Sequence, residues 1–478
     1  MSASALAASV RGGEVTARSI TEAALQRARQ IADLNALLHL GEQQALDAAA
    51  RVDAAVAEGR DPGPLAGVPI VLKDNLAHAG QPCGCASRIL EGYIAPTTAT
   101  AVARLEAAGA VVIGRANMDE FAMGSSNETS AYGPALNPWD RARVPGGSSG
   151  GSAISVATGV CPISLGSETG GSVRQPASLC GVVGVKPTYG RVSRSGLVAF
   201  GSSVDQIGPM GRTVADAALA LSVMSGLDPM DLTSADEPAP DCREPLGRSV
   251  RGMRLGVPAQ CWGEGLTPGV RAACEDALGG LEAEGAELVP VSVPLLALSI
   301  AIYQVLTAAE ASSNLARFDG VRYGPRAEAD SVEGLYTATR SRGFGPEVQR
   351  RILLGTFALS AGYADQYYGR AVAAAARLRQ DIDEALGGLH ALVTPTSPTP
   401  AFKLGEKAAD PLAMYLSDIF TAPANLVGCP AISVPCGLDD GLPVGLQIMG
   451  RRWDEATCFA LAAAVERRTG LLCPPDLG

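Results

Sequence analysis

An α/β protein with helices covering a sheet is the fold class this sequence predicts, and three observations carry the prediction. Helical stretches stop at a glycine and give way to a short apolar strand. Thr100–Ala108 ends at Gly109 before Ala110–Ile113, and a helix opened by Thr267-Pro268 ends at Gly285 before Leu288–Val293. Hydrophobic residues make up 47% of the 478 residues and charged ones 18%, enough apolar material for a large core. Helix and strand signals also stay interleaved along the chain instead of separating into blocks.

The elements follow in order. Ser19-Ile-Thr-Glu22 reads as a capping box opening a helix that runs to about Leu38, and Glu42–Glu58 is a second helix closed by Gly59. Asp61–Pro64 is a turn, and Val68–Leu72 a buried strand. Thr213 caps a helix over Val214–Ser225. Leu227–Val250, rich in Asp, Glu and Pro, reads as an exposed loop between lobes. Ile300–Leu386 is mainly helical, and Ala391–Thr394 is strand-like. Ala431–Pro435 and Val444–Met449 flank an Asp-Asp-Gly turn as a hairpin, and Asp454–Arg468 is a last helix before Gly470.

Composition narrows the function. No apolar run reaches the roughly 18 residues of a spanning helix, the nearest being Pro294–Ala309, so no membrane association is expected. The N-terminus lacks a basic region followed by an apolar one, which points to the cytoplasm. Eleven cysteines without a CxxC, and only three histidines (His39, His78, His390), offer no zinc site; no metal is expected, and the thiols read as reduced and buried. A net charge of −11 without a basic tract disfavours direct nucleic-acid binding.

The chemistry is expected in Pro145–Pro176, where two Gly/Ser clusters, Gly146–Ser152 and Gly170–Ser172, bracket the apolar segment Ala153–Leu165. Gly146–Gly150 fits G-x-S-x-G only trivially, and an elbow of that kind would need His390 as its base. A phosphate loop is unsupported, because no GK[ST] occurs, and no lysine has a serine three positions before it. What remains is a serine with a distant lysine. Only four of the 38 basic residues are lysines, namely Lys73, Lys186, Lys403 and Lys407, and lysine, unlike arginine, loses its proton when buried. Lys73 ends the apolar run Gly67–Leu72, a desolvated setting for a base, although a strand-end lysine can also simply reach water. The glycines of Thr169-Gly-Gly-Ser172 leave backbone N–H groups able to face an oxyanion. Either cluster alone is also consistent with a tight turn.

Together these pieces resemble the amidase signature family: GGSSGGS at 146–152, Gly-Gly-Ser-x-Arg-x-Pro at 170–176, and a lysine 75 residues before Ser148. The resemblance implies one amidase domain over 1–478, with a signature core at about 65–215 and a helix-rich lobe at about 295–390. It implies a large mixed β-sheet with helices on both faces. It assigns Lys73 as base, Ser148 (rather than its neighbour Ser149) as a bridging serine in a cis peptide, Ser172 as nucleophile, and Thr169, Gly170 and Gly171 as the oxyanion loop.

Within the family the chain is most similar to the glutamine-hydrolysing subunits of tRNA-dependent amidotransferases. Met118–Ser126, Asn137–Asp140, Val182–Pro209, Glu310–Gly324 and Arg350–Phe357 carry that likeness. It implies glutamine as substrate, with Arg351 on its carboxylate and Asp418 on its ammonium. It also implies partner subunits B and C, with ATP and Mg²⁺ bound by the partner and no cofactor in this chain. The tRNA, either Glu-tRNA(Gln) or Asp-tRNA(Asn) or both, is reached only through the complex. Two departures stand out: Glu168 where the subfamily has aspartate, and Tyr303-Gln304 where a Tyr-Tyr pair is common. The alternatives are a stand-alone amidase for another small carboxamide and an inactive scaffold of the same fold.

Overall fold

The computed structural model describes residues 1–263 and 265–475. Among the described residues, eleven strands form one sheet: β1 (Leu37–Leu40), β2 (Pro69–Lys73), β3 (Val111–Ala116), β4 (Ile163–Glu168), β5 (Val183–Lys186), β6 (Gln206–Gly211), β7 (Arg254–Pro258), β8 (Glu287–Val291), β9 (Ala391–Pro395), β10 (Ala431–Asp439) and β11 (Leu442–Gly450). Their order across the sheet is β1-β3-β2-β4-β6-β5-β10-β11-β9-β7-β8. β2 runs parallel to β3 and β4, and β7 parallel to β8 and β9; the remaining pairs are antiparallel. The sheet is therefore mixed, as the resemblance implied.

Helices lie on both faces. Side chains five apart on a strand point to opposite sides. On β11 a Cβ at Gly445 would face Ser178 Oγ of helix Arg174–Cys180, and one at Gly450 would face Cys458 Sγ of helix Glu455–Thr469. The central strands β2, β4, β5 and β6 are buried along their whole length. Each fully buried Ile, Val or Leu side chain there contributes about 1.5–3 kcal/mol.

A helix not expected from the sequence, Ala3–Arg11, comes first, and the one expected from Ser19 to about Leu38 is shorter. The latter spans Ala17–Gln30 and is capped by Thr16, whose hydroxyl accepts from the Ser19 N–H at 3.1 Å, so Ser19 lies inside it. The chain leaves the helix through Asn35, in the left-handed conformation, and Leu37–Leu40 pairs with β3 instead of prolonging it. Thr267 caps nothing with its side chain; its hydroxyl points to the Pro398 carbonyl, and Pro268 opens the helix. The loop after Leu227 is exposed at Leu227, Met230 and Leu232 but fastened at Asp228, which takes the hydroxyls of Thr100 and Ser193. The strands on either side of that loop belong to one continuous sheet.

Residues Pro294–Arg317 are long and apolar enough, by length and composition, to cross a membrane. In the fold, 56% of the most apolar window is buried, with Ile302, Tyr303 and Leu306 packed among Leu378 and Ile382 of helix Arg370–Ala385. All eleven cysteines are free thiols, and only Cys473 is exposed.

Candidate active site

The parallel pair β2–β4 brings the lysine to the serines. Lys73, the last residue of β2, is 0% exposed. Its Nζ donates to Ser148 Oγ at 2.7 Å and to the Ser167 carbonyl at 2.8 Å. Burial brings its pKa down to about 7, while Asp119, Glu168 and Asp205 pull it back upward. Ser148 follows a cis peptide bond after Gly147. The hydroxyl of its neighbour Ser149 donates instead to the Ser167 carbonyl at 3.2 Å, the oxygen Lys73 also reaches, and of the two serine hydroxyls the lysine bonds that of Ser148.

The two Gly/Ser clusters are joined to one another. The Ser149 N–H donates to the Ser172 carbonyl at 3.1 Å, and Ser172 is 4% exposed. Among the described residues, no group accepts a hydrogen bond from the N–H of Thr169, Gly170 or Gly171. Gly171 has φ +147°, and a Cβ there would lie 2.1 Å from Thr421 Oγ1 and 2.9 Å from Asp418 Oδ1, so only glycine fits. The Gly170 carbonyl accepts from Thr421 Oγ1 at 2.7 Å.

Glu168, the departure noted in sequence, fastens the far side of this loop. Its carboxylate accepts from the Val173 and Arg174 N–H groups and pairs with the Arg174 guanidinium at 2.6 Å, both side chains fully buried. Arg174 continues to Gln447, Asn425 and the Thr421 carbonyl. Although burial alone would raise it, Arg174 holds the Glu168 carboxyl below its ordinary value. Removing one partner of such a pair costs about 3–5 kcal/mol.

Arg351 and Asp418 arrive from different elements. Arg351, on helix Pro346–Ala358, is buried, with its Nε donating to Glu347 at 2.8 Å and its guanidinium lying over the rings of Phe200 and Tyr415. Asp418 is 8% exposed; it accepts from the Ser125 hydroxyl through Oδ2, while Oδ1 is a buried acceptor with no hydrogen-bond donor among the described residues. Burial raises its pKa to about 7. Tyr303 links the two to the loop. Its hydroxyl bonds Thr169 Oγ1 at 2.7 Å, and the charges of both Arg351 and Asp418 act on it. Arg351, Glu347 and Tyr415 line a cavity of about 320 Å³ together with Gly124, Ser126 and Glu120, within the usual size range of a small-molecule site.

Several residues of the site escaped the sequence reading. Asp119 accepts from the N–H groups of Asn127 and Thr129 at 2.9 and 3.2 Å, and it lies so close to Gly147 that a Cβ there would sit 1.9 Å from its Oδ2. Tyr303 stood out in sequence only as half of a departure, Ser125 only as part of the Met118–Ser126 block, and Glu347 not at all. The scarcity that marked Lys73 also marked Lys186, which is buried at the end of β5. Among the described residues, no three or more His, Cys, Asp or Glu side chains are grouped to hold a metal ion.

With this geometry in place, comparison with known proteins is direct. The profile of the family described as Amidase matches residues 19–459, and the chain belongs to that family. The chain is 54% identical over 456 residues to the Glutamyl-tRNA(Gln) amidotransferase A-subunit of Koribacter versatilis (strain Ellin345), covering 95% of each. It superposes on the crystal structure of the Glutamyl-tRNA(Gln) amidotransferase A-subunit of Thermotoga maritima with a TM-score of 0.81 at 42% identity, over 97% of this chain and 95% of that one. The native peptide amidase of Stenotrophomonas maltophilia matches with a TM-score of 0.85 at 34% identity, over 100% and 98%. The chain is thus an amidase-signature enzyme of the amidotransferase-subunit kind.

Proposed function

We propose that this chain hydrolyses glutamine and passes the ammonia to a partner, which uses it to convert Glu-tRNA(Gln) to Gln-tRNA(Gln). The observation that carries the reaction class is the 2.7 Å contact between a fully buried lysine amine and Ser148 Oγ. Neutral Lys73 accepts a proton from Ser148 as Ser148 takes one from Ser172, and Ser172 Oγ attacks the side-chain carbonyl carbon of glutamine. The oxyanion is held by backbone N–H groups of the Thr169–Gly171 loop. The proton returns through the same relay to the leaving nitrogen, which departs as ammonia, and water releases glutamate from the acyl-enzyme. Arg351 takes the α-carboxylate, and Asp418, with its open Oδ1, takes the α-ammonium.

The relatives' names support the amidotransferase setting. In it, subunits B and C complete a cytoplasmic heterotrimer, ATP and Mg²⁺ bind the partner, and this acidic chain meets tRNA only through the complex. The peptide amidase likeness keeps a stand-alone amidase as the second reading.

The test is the Ser172→Ala variant in the assembled complex. Glutamine hydrolysis and glutamine-driven amidation of Glu-tRNA(Gln) are expected to vanish, while amidation driven by added ammonium salt persists. Loss of both, or survival of glutamine-driven amidation, would sink the reading.

A further inference from the structure

Asp119 and Glu120 are consecutive, yet their carboxylates serve opposite halves of the site. The chain turns sharply behind them, with Phe121 and Ala122 both in the left-handed region at φ 49° and 62°. Asp119 holds the Asn127 and Thr129 N–H groups and packs on Gly147, beside Ser148. Glu120 reaches the other way. Its Oε2 accepts from the Gly345 N–H at 2.8 Å, and its Oε1 takes the Ser87 hydroxyl, which also reaches the Gly343 carbonyl at 3.3 Å.

Those contacts fall on both sides of Phe344, at the junction between helix Val332–Gly343 and helix Pro346–Ala358. The Phe344 ring packs on the Phe121 ring with centroids 5.6 Å apart. Gly345 stands at the N-cap of the second helix, and its N–H, which has no partner within the helix, is taken by Glu120. That helix carries Glu347 and Arg351 within its first two turns, and Glu120 lines the same cavity as both.

We infer that Glu120 is a positioning residue for recognition of the substrate's α-carboxylate: it fixes the start of helix Pro346–Ala358 and, through it, the place of Arg351. This rests on the reading of Arg351 as the carboxylate contact. The adjacent pair Asp119-Glu120 then ties the bond-breaking half of the site and the substrate-reading half to one rigid turn. Burial pushes the Glu120 carboxyl up to about 7, so an amide is a close substitute for it near neutrality.

The experiment measures glutamine hydrolysis by the complex with its partner subunits, alongside inactivation of Ser172 by phenylmethanesulfonyl fluoride, which carries no α-amino acid group. Glu120→Ala is expected to raise the KM for glutamine about tenfold, the effect of losing a hydrogen bond to a charged group, with kcat within about threefold. The inactivation rate stays at the wild-type value. Glu120→Gln keeps an acceptor for Gly345 and a donor for Ser87, and restores KM to within about threefold. Should Glu120→Ala fail to assemble, Ser87→Ala carries the test with a rise in KM of about threefold. An unchanged KM, a parallel fall in kcat and inactivation rate, or failure of the Gln variant to rescue overturns the inference. A wild-type complex that hydrolyses no glutamine overturns the reading of the site itself, and this inference with it.

Discussion

Lys73 closes β2 and Lys186 closes β5, each with 0% exposure, and each has its amine brought down to about 7 by loss of hydration. The charges around them differ: three carboxylates pull Lys73 back upward, whereas the Arg174 cation pushes Lys186 further down against Glu168. Their hydrogen-bond partners differ more. Lys73 meets the Ser148 hydroxyl, while Lys186 meets two carbonyl oxygens, Pro187 O and Gln206 Oε1, which have no proton to give. Burial is enough to make an amine a base near neutral pH, and a hydroxyl within reach is what lets the base do chemistry.

The largest test of that contrast is Lys73→Arg. A guanidinium stays charged and cannot accept the proton, so glutamine turnover is expected to fall about a thousandfold or more, measured as ammonia released by the complex. Retained turnover would place the base elsewhere.

The pH profile sharpens the comparison. In the proposed mechanism Lys73 acts only when neutral, and Asp418 pairs with the substrate ammonium only when ionised; both groups sit at about 7. Activity therefore falls as pH drops through 7, by up to about a hundredfold in kcat/KM per pH unit when both groups titrate. In Asp418→Asn the slope reduces to about tenfold per unit, on a lower plateau.

The smallest effect belongs to Lys186→Met, with turnover within about threefold of the wild type, because no step of the proposed mechanism uses that amine. Its signature lies in stability. The unfolded amine keeps its proton to about pH 10, while the folded one sheds it near 7. Wild-type stability consequently gains about 1.4 kcal/mol per pH unit from this group between those values. Thermal unfolding of Lys186→Met at pH 7, 8 and 9 is expected to show a correspondingly shallower rise.

Lysine scarcity illustrates how far the sequence reaches. It drew attention to Lys73, and the same count contained Lys186, which is equally buried; the charges and hydrogen-bond partners that the fold brings to each separate them. Helices with polar faces and clear stops, such as Glu42–Ala57 and Glu455–Thr469, were legible to within a residue or two. The central strands β4, β5 and β6 were not, because strands buried on both faces lose the alternation that marks a strand, and here they carry Gly, Ser and Pro. Leu37 and Leu38 read as the end of a helix because a four-residue strand next to an Ala-rich run is too short to show its own period. The Gly/Ser clusters were visible as local sequence. Asp119, Glu120 and Tyr303 were less so, since their roles come from contacts with chain up to 225 residues away.

The bond from Thr421 to the Gly170 carbonyl has an effect on an atom it never touches. A peptide unit is a rigid plate in which, in the trans form, C=O and N–H point in opposite directions. By pinning the oxygen of the plate between Gly170 and Gly171, Thr421 aims the Gly171 N–H the other way. The direction in which that donor faces is thus set by a threonine 250 residues further along the chain, and Thr421 acts as a rudder for it.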